Sequence, residues 1–308
     1  MPHEPTTEQV AIPTADGLML AARVFRPQAE PRGAALILCC VGGTQARYEA
    51  LARFLTQRHW IVVTFDYRGV GSSRALESTR ANTMVHWGTH DFDAVISWTR
   101  SHLHPKRLVA VGHSIGGQLI PFANGARHLD AAVCVAAQRG YWRHWRGIRR
   151  LALLTLWHVY IPVCVRALGQ VPLPSGRESL DPQVAVDWAR WGLSNDYRTH
   201  AGESLKSKFS ELNIPMLFLS FGDDTLFAPK AAVDALARDY FVSACRVRCH
   251  VEPREHGLPT IGHSGFFDPG CCPRSWWDDL SNWMANVKAC TNSPCEVFEC
   301  RPSPSRLI

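Results

Sequence analysis

The chain has 308 residues, 46% of them hydrophobic and 19% charged, with a mean hydropathy of −0.11. That is too much apolar material for a disordered chain and enough to bury a large core. The 22 glycines and 20 prolines follow no period, which excludes a collagen-like rod. The net charge of +6 is local. Residues 131–177 hold seven arginines (Arg139, Arg143, Arg146, Arg149, Arg150, Arg166, Arg177) and no acid. The remainder is near neutral, which argues against a nucleic-acid partner.

Met1-Pro2-His3-Glu4-Pro5-Thr6-Thr7-Glu8 is polar and acidic where an export signal needs a basic start and an apolar run. Eleven cysteines, an odd number, cannot all pair within one chain. Together these features predict a cytoplasmic protein with reduced thiols.

Along the chain, residues 9–13 and 19–25, joined by Ala15-Asp16-Gly17, read as a β-hairpin. Residues 34–41 form a continuous apolar run, the pattern of a strand covered on both faces. A helix over 48–57 and a strand over 60–65 follow. The alternation continues with a helix over 91–101, a strand over 107–112, a helix over 115–124 and a strand over 131–137. It resumes after a gap with a strand over 215–221, a helix over 229–241, a strand over 245–251 and a helix over 273–287. Strands alternating with helices predict a mostly parallel, doubly wound α/β sheet.

The gap, residues 139–213, has no good strand but has helical patterns rich in tryptophan (Trp142, Trp145, Trp157, Trp188, Trp191). A stretch of that length is too long for a loop inside a compact domain and reads as an inserted helical cap. The core is then residues 8–138 and 214–288, and the aperiodic, cysteine-containing tail 289–308 is expected to be disordered. Within the cap, residues 151–165 are the most apolar window. Pro162 and Arg166 interrupt it before the roughly 20 residues a membrane span requires. The expectation is a cap helix facing a pocket, with the arginines on a solvated outer face and no stable membrane insertion. Cys290-x4-Cys295-x4-Cys300 lacks the close pairs of zinc sites, and no metal or other cofactor is expected.

The sharpest local signal is Gly112-His113-Ser114-Ile115-Gly116-Gly117, a G-x-S-x-G pattern between a strand and a helix. A serine on so tight a turn projects above the sheet, with a helix N-terminus behind it to favour developing negative charge. Such a nucleophile needs a base and an orienting acid, in this architecture in the chain order Ser, Asp or Glu, His. The strand over 215–221 runs out into Asp223-Asp224, and His263 sits on the loop before the last helix. Ser114, Asp224 and His263 are the candidate triad, with Asp223 an alternative acid and His256 an alternative base. Two backbone N–H groups should hold an oxyanion, one from Ile115 and one from the loop 41–45, where Gly43 is the expected donor.

These motifs resemble those of the α/β-hydrolase superfamily, and more narrowly of bacterial serine-aminopeptidase-like hydrolases. The likeness rests on Phe65-Asp66-Tyr67-Arg68-Gly69-Val70-Gly71-Ser72-Ser73, the serine elbow, Ser220-Phe221-Gly222-Asp223-Asp224 and Ile261-Gly262-His263-Ser264-Gly265-Phe266-Phe267. Gly140-Tyr141-Trp142-Arg143, Trp157-His158 and Trp188-Ala189-Arg190-Trp191 extend it into the cap, and it covers residues 8–288. It implies the α/β-hydrolase fold and a serine hydrolase acting on a small-molecule acyl substrate; the apolar, tryptophan-rich composition of the cap makes Trp142 and Trp157 candidate pocket residues. A non-catalytic binding protein on the same scaffold, or an acyltransferase, is the alternative, because one fold hosts many functions.

Overall fold

The computed structural model describes residues 6–76, 82–173, 178–288, 298–300 and 307–308. Nine strands make one sheet: β1 (Thr6–Pro13), β2 (Met19–Arg26), β3 (Gly33–Leu38), β4 (Trp60–Phe65), β5 (Leu108–His113), β6 (Ala131–Val135), β7 (Pro215–Phe221), β8 (Cys245–Val251) and β9 (Phe298–Cys300). Their order is β1-β2-β4-β3-β5-β6-β7-β8-β9. β1 and β2 form an antiparallel pair, as do β2 and β4, and every other pair is parallel. Every residue of β3, β4, β5, β6 and β7 is buried, which is why their sequences are unbroken apolar runs. After β3 the chain winds one way across the sheet, and from β5 it winds the other. The loops leaving β3 and β5 therefore diverge and open a crevice at the carboxyl ends of the strands.

Residues 139–213 lie between β6 and β7 and, among the described residues, carry the helices Gly147–Leu168, Pro182–Leu193 and Lys206–Glu211. Arg139 pins this cap to the core. Its buried guanidinium donates to the Trp191 and Ser194 carbonyls (3.1 and 2.5 Å) and to Tyr240 Oη (2.9 Å), and lies 4.3 Å above the Tyr197 ring. It is thus no part of a solvated face. Three acceptors and an aromatic face replace the water this cation has lost.

The first cap helix departs from expectation twice. It does not break at Pro162 but runs from Gly147 to Leu168, with one π turn over Leu156–Tyr160. A proline lacks an N–H and crowds the carbonyl one turn back, and the widened π turn just before it relieves both conflicts. The helix is also not apolar toward the core alone. Leu153, Trp157, Ile161 and Cys164 are buried, whereas Ile148, Leu151, Val159 and Val163 are exposed. By length and composition it is able to cross a membrane.

Other differences are smaller. The helix after the serine elbow stops at Leu119, and a 3₁₀ turn containing Pro121 follows. The tail is not wholly disordered: β9 pairs with β8, Leu307 is buried, and its N–H donates to Asp279 (2.7 Å). Cys290 and Cys295 lie outside the described residues, as does Arg177. Cys39, Cys40, Cys134, Cys164, Cys249, Cys271 and Cys272 are free thiols, but Cys245 is disulfide-bonded, so the thiols are not uniformly reduced.

The loop after β4 is held by a buried ion cluster. Arg68, 1% exposed, donates through Nε to Asp91 (2.7 Å) and through Nη1 to Asp16 (2.8 Å), and its backbone N–H also donates to Asp91 (2.9 Å). Burial drives the Asp91 carboxyl up to about 6, against the pull of Arg68. Asp91→Ala should cost about 3–5 kcal/mol in urea unfolding, because it leaves a buried guanidinium short of its counter-charge. A raised carboxyl holds its proton more tightly folded than unfolded, so its contribution to stability falls as the pH rises through about 6. The stability of the wild type relative to Asp91→Asn should accordingly rise between pH 8 and pH 5.

Candidate active site

Ser114 stands at the end of β5 with φ 55° and ψ −119°, a backbone region that side-chain-bearing residues rarely adopt. The turn is possible because its flanks are glycines. A Cβ on Gly112 would lie 2.5 Å from Gly117 Cα, and one on Gly116 would lie 2.6 Å from the Leu38 carbonyl oxygen. The Ser114 N–H donates to the Val135 carbonyl at the end of β6 (2.9 Å), and the Gly117 N–H caps the Ser114 carbonyl (3.1 Å). The strain is thereby locked in, as is common where a nucleophile must be presented.

Asp223 and Asp224, adjacent in sequence, have separate tasks. Asp224 Oδ2 lies 2.6 Å from His263 Nδ1, and the two side chains are 2% and 7% exposed. Asp223 turns instead to the backbone of the histidine loop, accepting from Thr260 Oγ1 (2.6 Å) and from the N–H groups of Ile261 (2.8 Å) and Gly262 (2.9 Å). Burial pushes the Asp223 carboxyl up, but those hydrogen bonds prevail and hold it below the usual carboxylate range. The Asp224 contact fixes the imidazole with its proton on Nδ1 and leaves Nε2 as the basic nitrogen. His256 lies elsewhere, its ring edge-on to Trp276.

A relay that sequence reading did not identify ties the elbow to the histidine loop. His113 Nε2 is 2.8 Å from the His263 carbonyl oxygen, which only accepts, so Nε2 carries the proton. Its Nδ1 then accepts from Tyr48 Oη (2.9 Å), which itself accepts from the Cys40 N–H (2.8 Å). Burial pushes the Tyr48 phenol well up, keeping it a donor. One chain of hydrogen bonds thus joins the loops after β3 and β5 to the loop carrying His263. The signal in sequence was the histidine inside the G-x-S-x-G pattern, but its partners are 65 and 150 residues away. Tyr48→Phe should lower kcat about tenfold with little change in KM, and should cost about 1–3 kcal/mol of stability by stranding the buried Cys40 N–H and His113 Nδ1. Ester turnover and urea unfolding would measure both.

The loop after β3 corrects one expectation. The Gly43 N–H donates to the Cys40 carbonyl (3.0 Å), closing a turn with Gly42 at φ 65°, and so does not face an oxyanion. The Cys40 N–H is engaged by Tyr48. That leaves the N–H groups of Val41 and Gly42, which donate to no other group among the described residues, as does that of Ile115 across the crevice. The segment between β6 and β7 reaches this loop: the Glu178 N–H donates to the Gly42 carbonyl (3.2 Å), and Glu178 Oε2 accepts from the Gly71 N–H (2.8 Å).

The two tryptophans, Trp142 and Trp157, are held by packing contacts within the segment between β6 and β7. The Trp157 indole packs on Gly192, where a Cβ would lie 2.4 Å from its ring, so it joins two cap helices. Trp142 is half-buried beneath the guanidinium of Arg150, 4.6 Å from the ring centroid. Beside His263 is Phe227, at 5.0 Å between ring centroids, and the carbonyl of the adjacent Leu226 accepts from Trp145 Nε1 (2.7 Å).

Residues 35–137 match the family model described as the alpha/beta hydrolase fold. No curated protein matches the chain by sequence. Among solved structures, the chain is similar to an esterase of Pyrococcus furiosus, at 13% identity over 91% of both chains and a TM-score of 0.60. It is also similar to the esterase domain of a Rhodothermus marinus protein, at 17% identity over 91% of this chain and 98% of that one, with a TM-score of 0.57. A third similar structure is an esterase of Exiguobacterium antarcticum, at 11% identity over 90% and 99% of the two chains and a TM-score of 0.57. With the strand order and the strained serine elbow, these matches show that the chain has the α/β-hydrolase fold.

Proposed function

We propose that the chain is a serine hydrolase that cleaves a carboxylic ester or related small acyl compound through an acyl-enzyme. The observation that carries this reading is the 2.6 Å contact between His263 Nδ1 and Asp224 Oδ2, made by side chains from two separate loops, with the His263 ring 4.9 Å from that of His113, the residue before the strained Ser114. In the proposed cycle Ser114 Oγ attacks the acyl carbonyl while His263 Nε2 takes its proton. Asp224 holds the imidazolium, and the N–H groups of Ile115 and of Val41 or Gly42 receive the oxyanion. His263 then returns the proton to the leaving group, and water repeats the sequence to free the acid. The esterases among the structurally similar proteins support the same reading.

A fluorophosphonate probe tests it. The full chain should become covalently labelled, and Ser114→Ala should not. A correctly folded wild type that stays unlabelled would return the chain to the non-catalytic, ligand-binding alternative.

A further inference from the structure

We propose that the outer face of the cap helix Gly147–Leu168 is a docking surface for an anionic lipid bilayer, on which the protein lies without crossing it. Among the described residues nine large hydrophobic side chains are exposed, and six belong to this one helix: Ile148, Leu151, Val159, Tyr160, Val163 and Leu168. Ile148, Leu151, Val159 and Val163 recur at spacings of three, eight and four, which places them on one face. Ile148 is 76% exposed and Leu151 58%. The opposite face, Leu153, Trp157, Ile161 and Cys164, is already buried in the cap. A helix apolar on both faces normally has apolar neighbours on both.

Charge identifies the occupant. Arg146 and Arg149 at the start of this helix and Arg166 near its end are exposed, with no ion pair among the described residues. Arg146 is the N-cap residue and no acid stands in the first turn, so cations crowd the positive end of the helix dipole. Apolar side chains flanked by such cations match a surface of acyl chains beneath phosphate groups. A second copy matches poorly. An isologous contact would set arginine against arginine, because residues 131–177 contain no Asp or Glu. A span is ruled out by connection. The chain returns to pack helix Pro182–Leu193 against the same helix through Trp157 and Gly192, and residues on both sides belong to one core.

The test uses full-length Ser114→Ala protein, so that binding is read apart from turnover and does not depend on the catalytic reading. Co-sedimentation should show at least about tenfold tighter binding to vesicles containing phosphatidylglycerol than to phosphatidylcholine alone. The preference should largely vanish at about 1 M salt, where the screening length is about 3 Å. Leu151→Glu with Val159→Glu should reduce binding by at least about tenfold without moving the thermal transition, since both side chains already face water. Arg146→Ser with Arg149→Ser should erase the preference for anionic vesicles. No binding to either vesicle, or binding that the glutamates leave unchanged, would overturn the proposal. So would a solution dimer that Leu151→Glu dissolves, which would make the face a contact between copies.

Discussion

Ser114→Ala should lower kcat for p-nitrophenyl esters by roughly 10⁴- to 10⁶-fold, because members of a triad act as a unit and little is left when one is lost. The fold should survive, since the side chain makes no hydrogen bond among the described residues and the elbow is held by the Ser114 N–H and carbonyl. Stability should separate from activity in a second variant. At φ 55° and ψ −119° a side chain costs on the order of 1–3 kcal/mol, so Ser114→Gly should unfold at higher denaturant than wild type while remaining inactive. Undiminished ester turnover by purified Ser114→Ala would remove Ser114 as the nucleophile. A Ser114→Gly less stable than wild type would mean that the serine makes contacts outweighing its strain.

What was legible in the sequence was what local pattern dictates. β3, β4, β5, β6 and β7 are buried on both faces, so each appears as an apolar run whose position can be read directly. The elbow was legible because close approach by Leu38 and Gly117 leaves no choice but glycine at Gly116 and Gly112. The relay from Cys40 through Tyr48 and His113 to His263 was not, since its members meet only through the fold. The Gly43 expectation failed for a related reason: glycine was rightly placed in a tight turn, but the turn consumes that N–H internally. Pro162 misled because sequence does not show the π turn that accommodates it. The cap arginines misled because Arg139, Arg150 and Arg149 read alike in sequence, yet the first is buried, the second lies over Trp142 and the third is exposed.

Asp224→Asn should lower kcat by about 10⁴-fold, with a smaller effect on KM. The amide keeps the volume but presents an N–H₂ or a neutral oxygen to His263 Nδ1, so the imidazole loses the tautomer that leaves Nε2 basic and the charge that stabilises it once protonated. Asp223→Asn should act differently. Its carboxylate touches no ring, but it gathers Thr260 Oγ1 and the N–H groups of Ile261 and Gly262, and so sets the path of the chain into His263. An asparagine retains one acceptor oxygen and weakens this clamp without removing it. The expected loss is therefore about 10- to 100-fold, accompanied by a drop of about 1–2 kcal/mol in unfolding free energy. The pH profile discriminates further. Loss of the depressed Asp223 carboxylate should make the variant's stability fall less steeply on acidification, because a group held below its ordinary range stabilises the fold at neutral pH and loses that contribution as the pH falls. If Asp223→Asn proves the more damaging to kcat, Asp223 is the orienting acid in the working enzyme, and the observed pairing of Asp224 with His263 is not the catalytic one.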